Sequence, residues 1–72
     1  MNKHIAKLPN GKIITRNSKT RTYTHVVIAT DSDDAWGVIG WCGRLELAHK
    51  TESYWNRRVP YYKTKIIEAE LI

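Results

Sequence analysis

Apolar and polar residues alternate along the first part of the chain, which is the pattern of half-buried β-strands. The stretch HIAKL alternates over residues 4–8, and PNGK follows it. Asn10-Gly11 is a dipeptide favoured in tight hairpin turns, because both central positions of such a turn need positive φ. Residues 4–8 and 12–16 are therefore predicted to pair as a hairpin.

Two more strands are predicted before the middle of the chain. Residues 22–30, in TRTYTHVVIAT, are dense in β-branched and aromatic side chains, which favour strands. The acidic segment TDSDD is typical of a polar turn, and AWGVIGWCG after it predicts a strand from about 35 to 42. Gly37 and Gly40 inside that strand permit a β-bulge or a close backbone approach.

The hydrophobic period changes to that of a helix after Gly43. In RLELAHKTESYWNRR, apolar residues recur at the spacing of one helical face, and Pro60 sets the latest end of the helix. The residues predicted for the inward face are Leu47, Ala48, Thr51, Tyr54 and Trp55. We expect Leu47, Tyr54 and Trp55 to meet alternate strand residues such as Val26, Ile28 and Ile39.

The last segment, YYKTKIIEAELI, predicts a closing strand. Its apolar side chains Ile67, Ala69 and Leu71 fall on one face, and Glu68 and Glu70 fall on the other. The predicted order is β-β-β-β-α-β in a single domain covering residues 1–72. We predict an α+β fold, a small and mainly antiparallel sheet of four to five strands with one helix packed on one face, as the simplest two-layer arrangement.

The net charge of +5 is distributed unevenly along the 72 residues. Residues 1–25 and residues 57–65 are basic and contain no acid, whereas the middle of the chain is acidic. This asymmetry suits a polyanion or an acidic protein surface as partner. A small protein also needs net charge for solubility, so the charge by itself does not establish a binding patch.

The number of cysteines and the length of the apolar runs indicate the cellular compartment of the protein. Cys42 is the single cysteine, so the chain cannot form an internal disulfide, which is typical of a reducing cytoplasm. The longest uncharged apolar runs are far shorter than the roughly 20 residues of a membrane span, and the basic N-terminus is not followed by a signal-peptide pattern. We expect a soluble cytoplasmic protein with no membrane partner.

Candidate catalytic and metal-binding patterns are weak. The spacing of His4, His25 and His49 with Cys42 matches no compact metal-ligand pattern. The DSDD segment lacks the glycine and closing glutamate of a calcium loop, and no phosphate-cradling glycine loop occurs. A chain this short also has little material for a water-excluding pocket. We therefore expect no enzyme activity, no catalytic or metal site and no cofactor.

Basic and aromatic residues remain as candidates for binding. RNSKTR, residues 16–21, is predicted to connect two strands, and it concentrates three basic residues without an acid. In an extended chain Arg21, Tyr23 and His25 share a face, where they could stack on bases and pair with phosphate, or lie under the helix. The predicted partner-binding residues are Arg16, Lys19, Arg21, Tyr23, Trp36, Arg57 and Arg58.

Trp36 and Trp41 are five residues apart, so they fall on opposite faces of a strand unless a bulge intervenes. We expect one of them to be partly exposed. An exposed tryptophan beside arginine is typical of protein contacts. The same residues fit a purely structural role in the core or over a sheet edge.

A resemblance adds to this reading. The stretch AKLPNGKIITRNSKTRTYTHVVIA, followed by a tryptophan-bearing strand and GRLELAHK, resembles short accessory proteins encoded by bacteriophages and prophages, over about residues 4–50. The resemblance implies a protein that acts on host machinery, in the class that includes inhibitors of CRISPR complexes and of other defence or transcription factors. It assigns no functional residue.

Two functions are compatible with these features. In the first, the chain is a non-catalytic inhibitor that docks on a host protein or ribonucleoprotein with an acidic surface. In the second, it binds single-stranded DNA or RNA directly, through Lys12, Arg16, Lys19, Arg21, Lys63 and Lys65. We favour the first because no nucleic-acid motif is present and three tryptophans are many for this length. A homodimer through an unpaired edge strand is compatible with either.

Overall fold

The structure, a computed structural model, describes residues 1–31 and 35–72. Residues 32–34 of the predicted acidic turn lie outside this part. The elements within it follow the order β1 (Asn2–Lys7), β2 (Ile13–Ser18), β3 (His25–Thr30), β4 (Gly37–Cys42), α1 (Leu45–Arg58), β5 (Lys63–Glu68) and β6 (Glu70–Leu71).

The six strands of the described chain form two antiparallel sheets of three strands each. The first sheet has the order β2-β1-β6 and the second sheet has the order β4-β3-β5. The predicted α+β class with one helix is confirmed, but the strands do not form the predicted single sheet of four to five strands. The predicted closing strand divides at Ala69, because β5 pairs with β3 and β6 pairs with β1.

The β1–β2 hairpin has a three-residue loop instead of the predicted two-residue turn. The Gly11 amide donates to the Leu8 carbonyl at 2.9 Å, so Pro9 and Asn10 are the central turn residues. Gly11 follows them with φ +90°, and the Lys12 amide donates to the Asn10 side chain at 3.0 Å. Only glycine adopts this backbone conformation without strain, so Gly11 fixes the register of the hairpin.

The second sheet is the middle layer of the fold. Val26, Val27 and Ile28 on β3 are all fully buried. Val26 and Ile28 pack with Ala6 and Leu8 of the β1 segment, while Val27 packs on the other side with Cys42 and Ala48. The chain therefore has three layers, namely the first sheet, the second sheet and the helix.

The inward face of the helix is the predicted one only in part. Ala48 is fully buried and Thr51 and Trp55 are half-buried, as predicted, whereas Leu47 and Tyr54 are exposed. The predicted contact of the helix with Val26 and Ile28 is wrong, because those two residues face the first sheet. The small Ala48 side chain allows the helix backbone to lie close to the sheet.

Polar side chains complete this helix face. Glu52 is half-buried, and its carboxylate accepts a hydrogen bond from the Thr64 hydroxyl at 3.0 Å. The Thr51 hydroxyl donates to the Leu47 carbonyl one turn earlier, at 2.9 Å. The inward face therefore includes polar residues whose hydrogen bonds are satisfied, which an apolar periodicity cannot identify.

A β-bulge interrupts β4. Val27 pairs with Gly40 and Ile28 pairs with Val38, so Ile39 has no opposite residue on β3. The bulge lies beside one of the two glycines that permit it in the sequence.

The bulge places two tryptophans together. Trp36 precedes β4, Trp41 lies within it, and both pack against the core between the two sheets. An uninterrupted strand would have put them on opposite faces, and the extra residue reverses the alternation. Both indoles are half-buried, so both tryptophans, and not only one of them, are partly exposed.

His4 is fully buried and connects three segments of the chain. Its Nε2 accepts the Tyr23 amide hydrogen at 2.9 Å, so the ring hydrogen lies on Nδ1, which donates to the Arg16 carbonyl at 3.2 Å. The His4 and Tyr23 rings meet edge to face at 5.1 Å. His4, which the sequence presented only as an unlikely metal ligand, thus fixes β2 and the following linker to β1.

Replacing His4 by Ala should lower the free energy of unfolding by about 2–4 kcal/mol, since it leaves a cavity and unpairs the partly buried Tyr23 amide and Arg16 carbonyl. Urea denaturation measures the change. Lys3→Ala, at the exposed neighbouring position, is the control and should stay within about 0.5 kcal/mol of the parent. Equal effects of the two substitutions would contradict the role given to His4.

Gly11→Ala should destabilise the protein by about 1 kcal/mol because alanine resists positive φ. Gly40→Ala is a matched control, since an added Cβ meets no atom within 4 Å at either position and only Gly11 has positive φ. Thermal unfolding followed by circular dichroism compares the two. If Gly40→Ala lowers the stability as much as Gly11→Ala does, the positive φ of Gly11 is not the cause of the loss.

Candidate binding groove

Residues 19–24 form a linker, not the beginning of the predicted strand over 22–30. The linker runs beside the end of β4, where the Thr24 amide donates to the Cys42 carbonyl at 2.9 Å. Gly43 allows the linker backbone to lie close to the end of β4, since a Cβ at this position would lie 3.2 Å from the Thr22 carbonyl oxygen. Because β2 extends to Ser18, Arg16 lies on a strand and only Lys19 and Arg21 belong to the linker.

The linker, the end of β4 and the helix enclose a depression of about 500 Å³, with Arg21, Tyr23 and Trp41 on one side. A second depression of about 440 Å³ follows along the helix. Leu47 and Thr51 line both, so the two depressions are neighbours along the helix. We call the surface formed by the two depressions the helix groove; its second part adds Lys50, Tyr54 and Arg57.

The helix groove is basic. Among the residues that the structure describes, no acid lines either part, whereas Arg21, Lys50 and Arg57 do. All three cations are exposed, and none has a side-chain hydrogen bond or ion pair within residues 1–31 and 35–72. Their charge is therefore available to an anionic group outside the chain. Leu47 and Trp41 give the same surface apolar contact area.

Two further arginines cover aromatic rings at the borders of the groove. The Arg16 guanidinium lies 5.3 Å from the Tyr23 ring centroid. The Arg58 guanidinium lies 5.3 Å from the Tyr54 ring centroid and donates to the Tyr54 hydroxyl at 2.9 Å. These arginines are held by cation–π contacts, so Arg16 and Arg58 shape the borders of the groove.

The structure gathers part of the predicted partner-binding set. Arg21, Tyr23 and Arg57 line the helix groove, and Arg16 and Arg58 contact its aromatic residues. The other two predicted residues do not line it: Lys19 lies at the start of the linker, and Trp36 packs in the core at the opposite end of β4.

The alternative nucleic-acid set is dispersed. Lys12 precedes β2 and Lys19 follows it, so the whole strand separates them. Lys63 pairs with Thr30 at the end of the second sheet, while the linker joins the sheet at the other end of β3, before His25. Lys65 pairs with Ile28, also away from the linker. These lysines do not form one surface with Arg21.

Sequence reasoning found only part of the helix contribution to the groove, since it named Arg57 but not Leu47, Lys50 or Tyr54 as a binding residue. Leu47, Lys50, Tyr54 and Arg57 are spaced by three or four residues, which places them on one helix face. Leu47 and Tyr54 were assigned to the core because they are apolar, and this assignment hid the stripe. The sequence pattern that could have predicted this face is the alternation of apolar and basic residues at intervals of three or four.

Residues 1–31 and 35–72 contain no group of three or more histidine, cysteine or acidic side chains placed to hold a metal ion. Among the same residues, no helix has the length and apolar character that a membrane span requires.

Comparison with known proteins adds no relative. No family model, curated protein or solved structure matches this chain. Its function has to be argued from the helix groove.

Proposed function

We propose that this protein is a non-catalytic binding module that docks on an acidic surface of a partner protein through the helix groove. The observation that carries the proposal is the composition of the groove, whose lining among the described residues contains Arg21, Lys50, Arg57 and the exposed Leu47 but no acid. Apolar contact supplies affinity in such a site, and the surrounding cations speed encounter and select an acidic partner.

The groove favours a protein over a nucleic acid. Binding of single strands relies on open aromatic faces that stack on bases. Here Tyr23 and Tyr54 each have an arginine of the same chain over the ring. The lysines of the alternative set are also dispersed over the fold. Direct nucleic-acid binding is therefore the second candidate, and the experiment below separates the two.

The resemblance to phage accessory proteins supports a host protein or ribonucleoprotein as the partner. Docking alone would then inhibit or modulate that complex, because a bound domain of this size blocks a surface without doing chemistry. The acid-free groove indicates that the blocked surface carries aspartate or glutamate.

Reversing charge in the groove tests the proposal. The variant Arg21→Glu/Arg57→Glu changes the net charge from +5 to +1, since each substitution removes one positive and adds one negative charge. Lys12→Glu/Lys63→Glu makes the same change outside the groove. Nuclease-treated host lysate is passed over the parent and both variants, and each captured protein is then purified and titrated.

We expect the groove variant to bind at least about tenfold more weakly than the parent, since two interface cations are worth about 1 kcal/mol each or more. The control variant should bind within about threefold of the parent, because distant charges act only through screened long-range attraction. Capture that disappears with nuclease, or equal losses in both variants, would reject the groove as a protein-binding site. Binding of a fluorescent oligonucleotide by the parent would then favour the second candidate.

A further inference from the structure

β4 has a free edge. Within the described strands it pairs with β3 on one side only, so it is the outer strand of the second sheet. The helix covers one face of this sheet, and Val38 on β4 is 44% exposed. A free edge presents backbone donors and acceptors that can pair with another strand.

The sequence of β4 lacks two of the usual protections of an edge. Its six residues, GVIGWC, include no charged residue and no proline. The other outer strands are charged, since β2 contains Arg16, β5 contains Lys63 and Lys65, and β6 contains Glu70. Charged side chains on an edge disfavour pairing between molecules. β4 is therefore the edge at which association meets the least electrostatic resistance.

An apolar pocket adjoins this edge. Its volume is about 260 Å³, and its lining consists of Ala29, Gly37, Val38, Ile39, Trp55 and Tyr62. Val38 is 44% exposed and contributes to this pocket, so apolar surface lies next to the uncharged strand.

We propose that the free edge of β4 is a homodimer interface, at which a second copy adds its own β4 in antiparallel pairing about a two-fold axis. The two second sheets then form one continuous sheet. An uncharged strand suits self-pairing because a two-fold contact sets identical surfaces against each other, and charged strands would oppose like charges. One contact also removes the free edge of both molecules.

Two features set the strength of the dimer. The bulge at Ile39 bends β4 and limits the number of regular hydrogen bonds, so a reversible dimer is expected. Each copy carries a net charge of +5, so salt should strengthen the dimer by screening the repulsion. Binding at the helix groove should instead weaken with salt. The two interactions can therefore fail or succeed independently.

Analytical ultracentrifugation of the full chain tests the interface. The parent should show a concentration-dependent monomer–dimer equilibrium that shifts to dimer at high salt. Val38→Lys should raise the dimer Kd at least about tenfold, because the lysines of two copies meet at the edge. Ile13→Lys is the matched control on the outer strand β2, at a position 49% exposed. It should leave the dimer Kd within about threefold of the parent value.

A parent that remains monomeric at millimolar concentration and high salt would overturn the proposal. Loss of the dimer in the Ile13→Lys variant but not in the Val38→Lys variant would place the interface at β2 and overturn it equally. Amide hydrogen exchange of the parent needs no substitution, so it tests the interface even if a variant fails to fold. Amides of β4 should exchange more slowly at high protein concentration, and unchanged exchange there would count against the dimer.

Discussion

The two hydrogen bonds of the buried His4 ring are the constraint on which the functional surface depends. Because one ring nitrogen accepts and the other donates, a single neutral side chain joins β1, the backbone of β2 and the linker that follows. The Tyr23 bond acts together with other bonds of the linker, in which the Thr24 amide donates to the Cys42 carbonyl and the Arg21 amide donates to the Ser18 hydroxyl. The His4 ring also lies 5.1 Å from the Tyr23 ring and 6.5 Å from the Trp41 ring, and both of these residues line the helix groove. A core residue in the first strand thus contributes to the geometry of a surface groove.

The layered arrangement explains how so short a chain has both a core and an open groove. Many apolar contacts are made by the single strand β3, because both of its faces are buried. Val26 and Ile28 pack toward the first sheet, and Val27 packs toward the helix. The helix needs only Ala48 and a few half-buried residues to attach to this middle layer. Its remaining surface, including Leu47, is free to carry binding residues. The exposed apolar residues of the helix are consistent with a surface that is completed by a partner.

The sequence predicted the order of the first four strands and the helix, because alternation, glycine placement and helical spacing are local signals. It could not predict how the strands divide between two sheets. Val26, Val27 and Ile28 are apolar in succession, so β3 has no preferred side, and the closing segment reads as one strand although Ala69 separates two pairings. Of the candidate site, the basic linker around Arg21 could be predicted from the sequence. The role of Lys50 could not, because its position on the helix surface becomes part of the groove only when the linker lies beside it. The buried His4 is the clearest omission, since its partners are backbone groups that no sequence pattern marks.

The passage of the chain from β5 to β6 has a consequence for biosynthesis. β5 completes the middle layer by pairing with β3, and β6 completes the first sheet by pairing with the first strand of the chain. Neither sheet can be complete until the segment 63–71 has left the ribosome, and most stabilising contacts then form between residues far apart in sequence. Such a topology favours slow, late and concerted folding over stepwise growth from the N-terminus. Until that moment the apolar residues of β3 lack one neighbour on the sheet, so the nascent chain passes through a stage that depends on protection from aggregation.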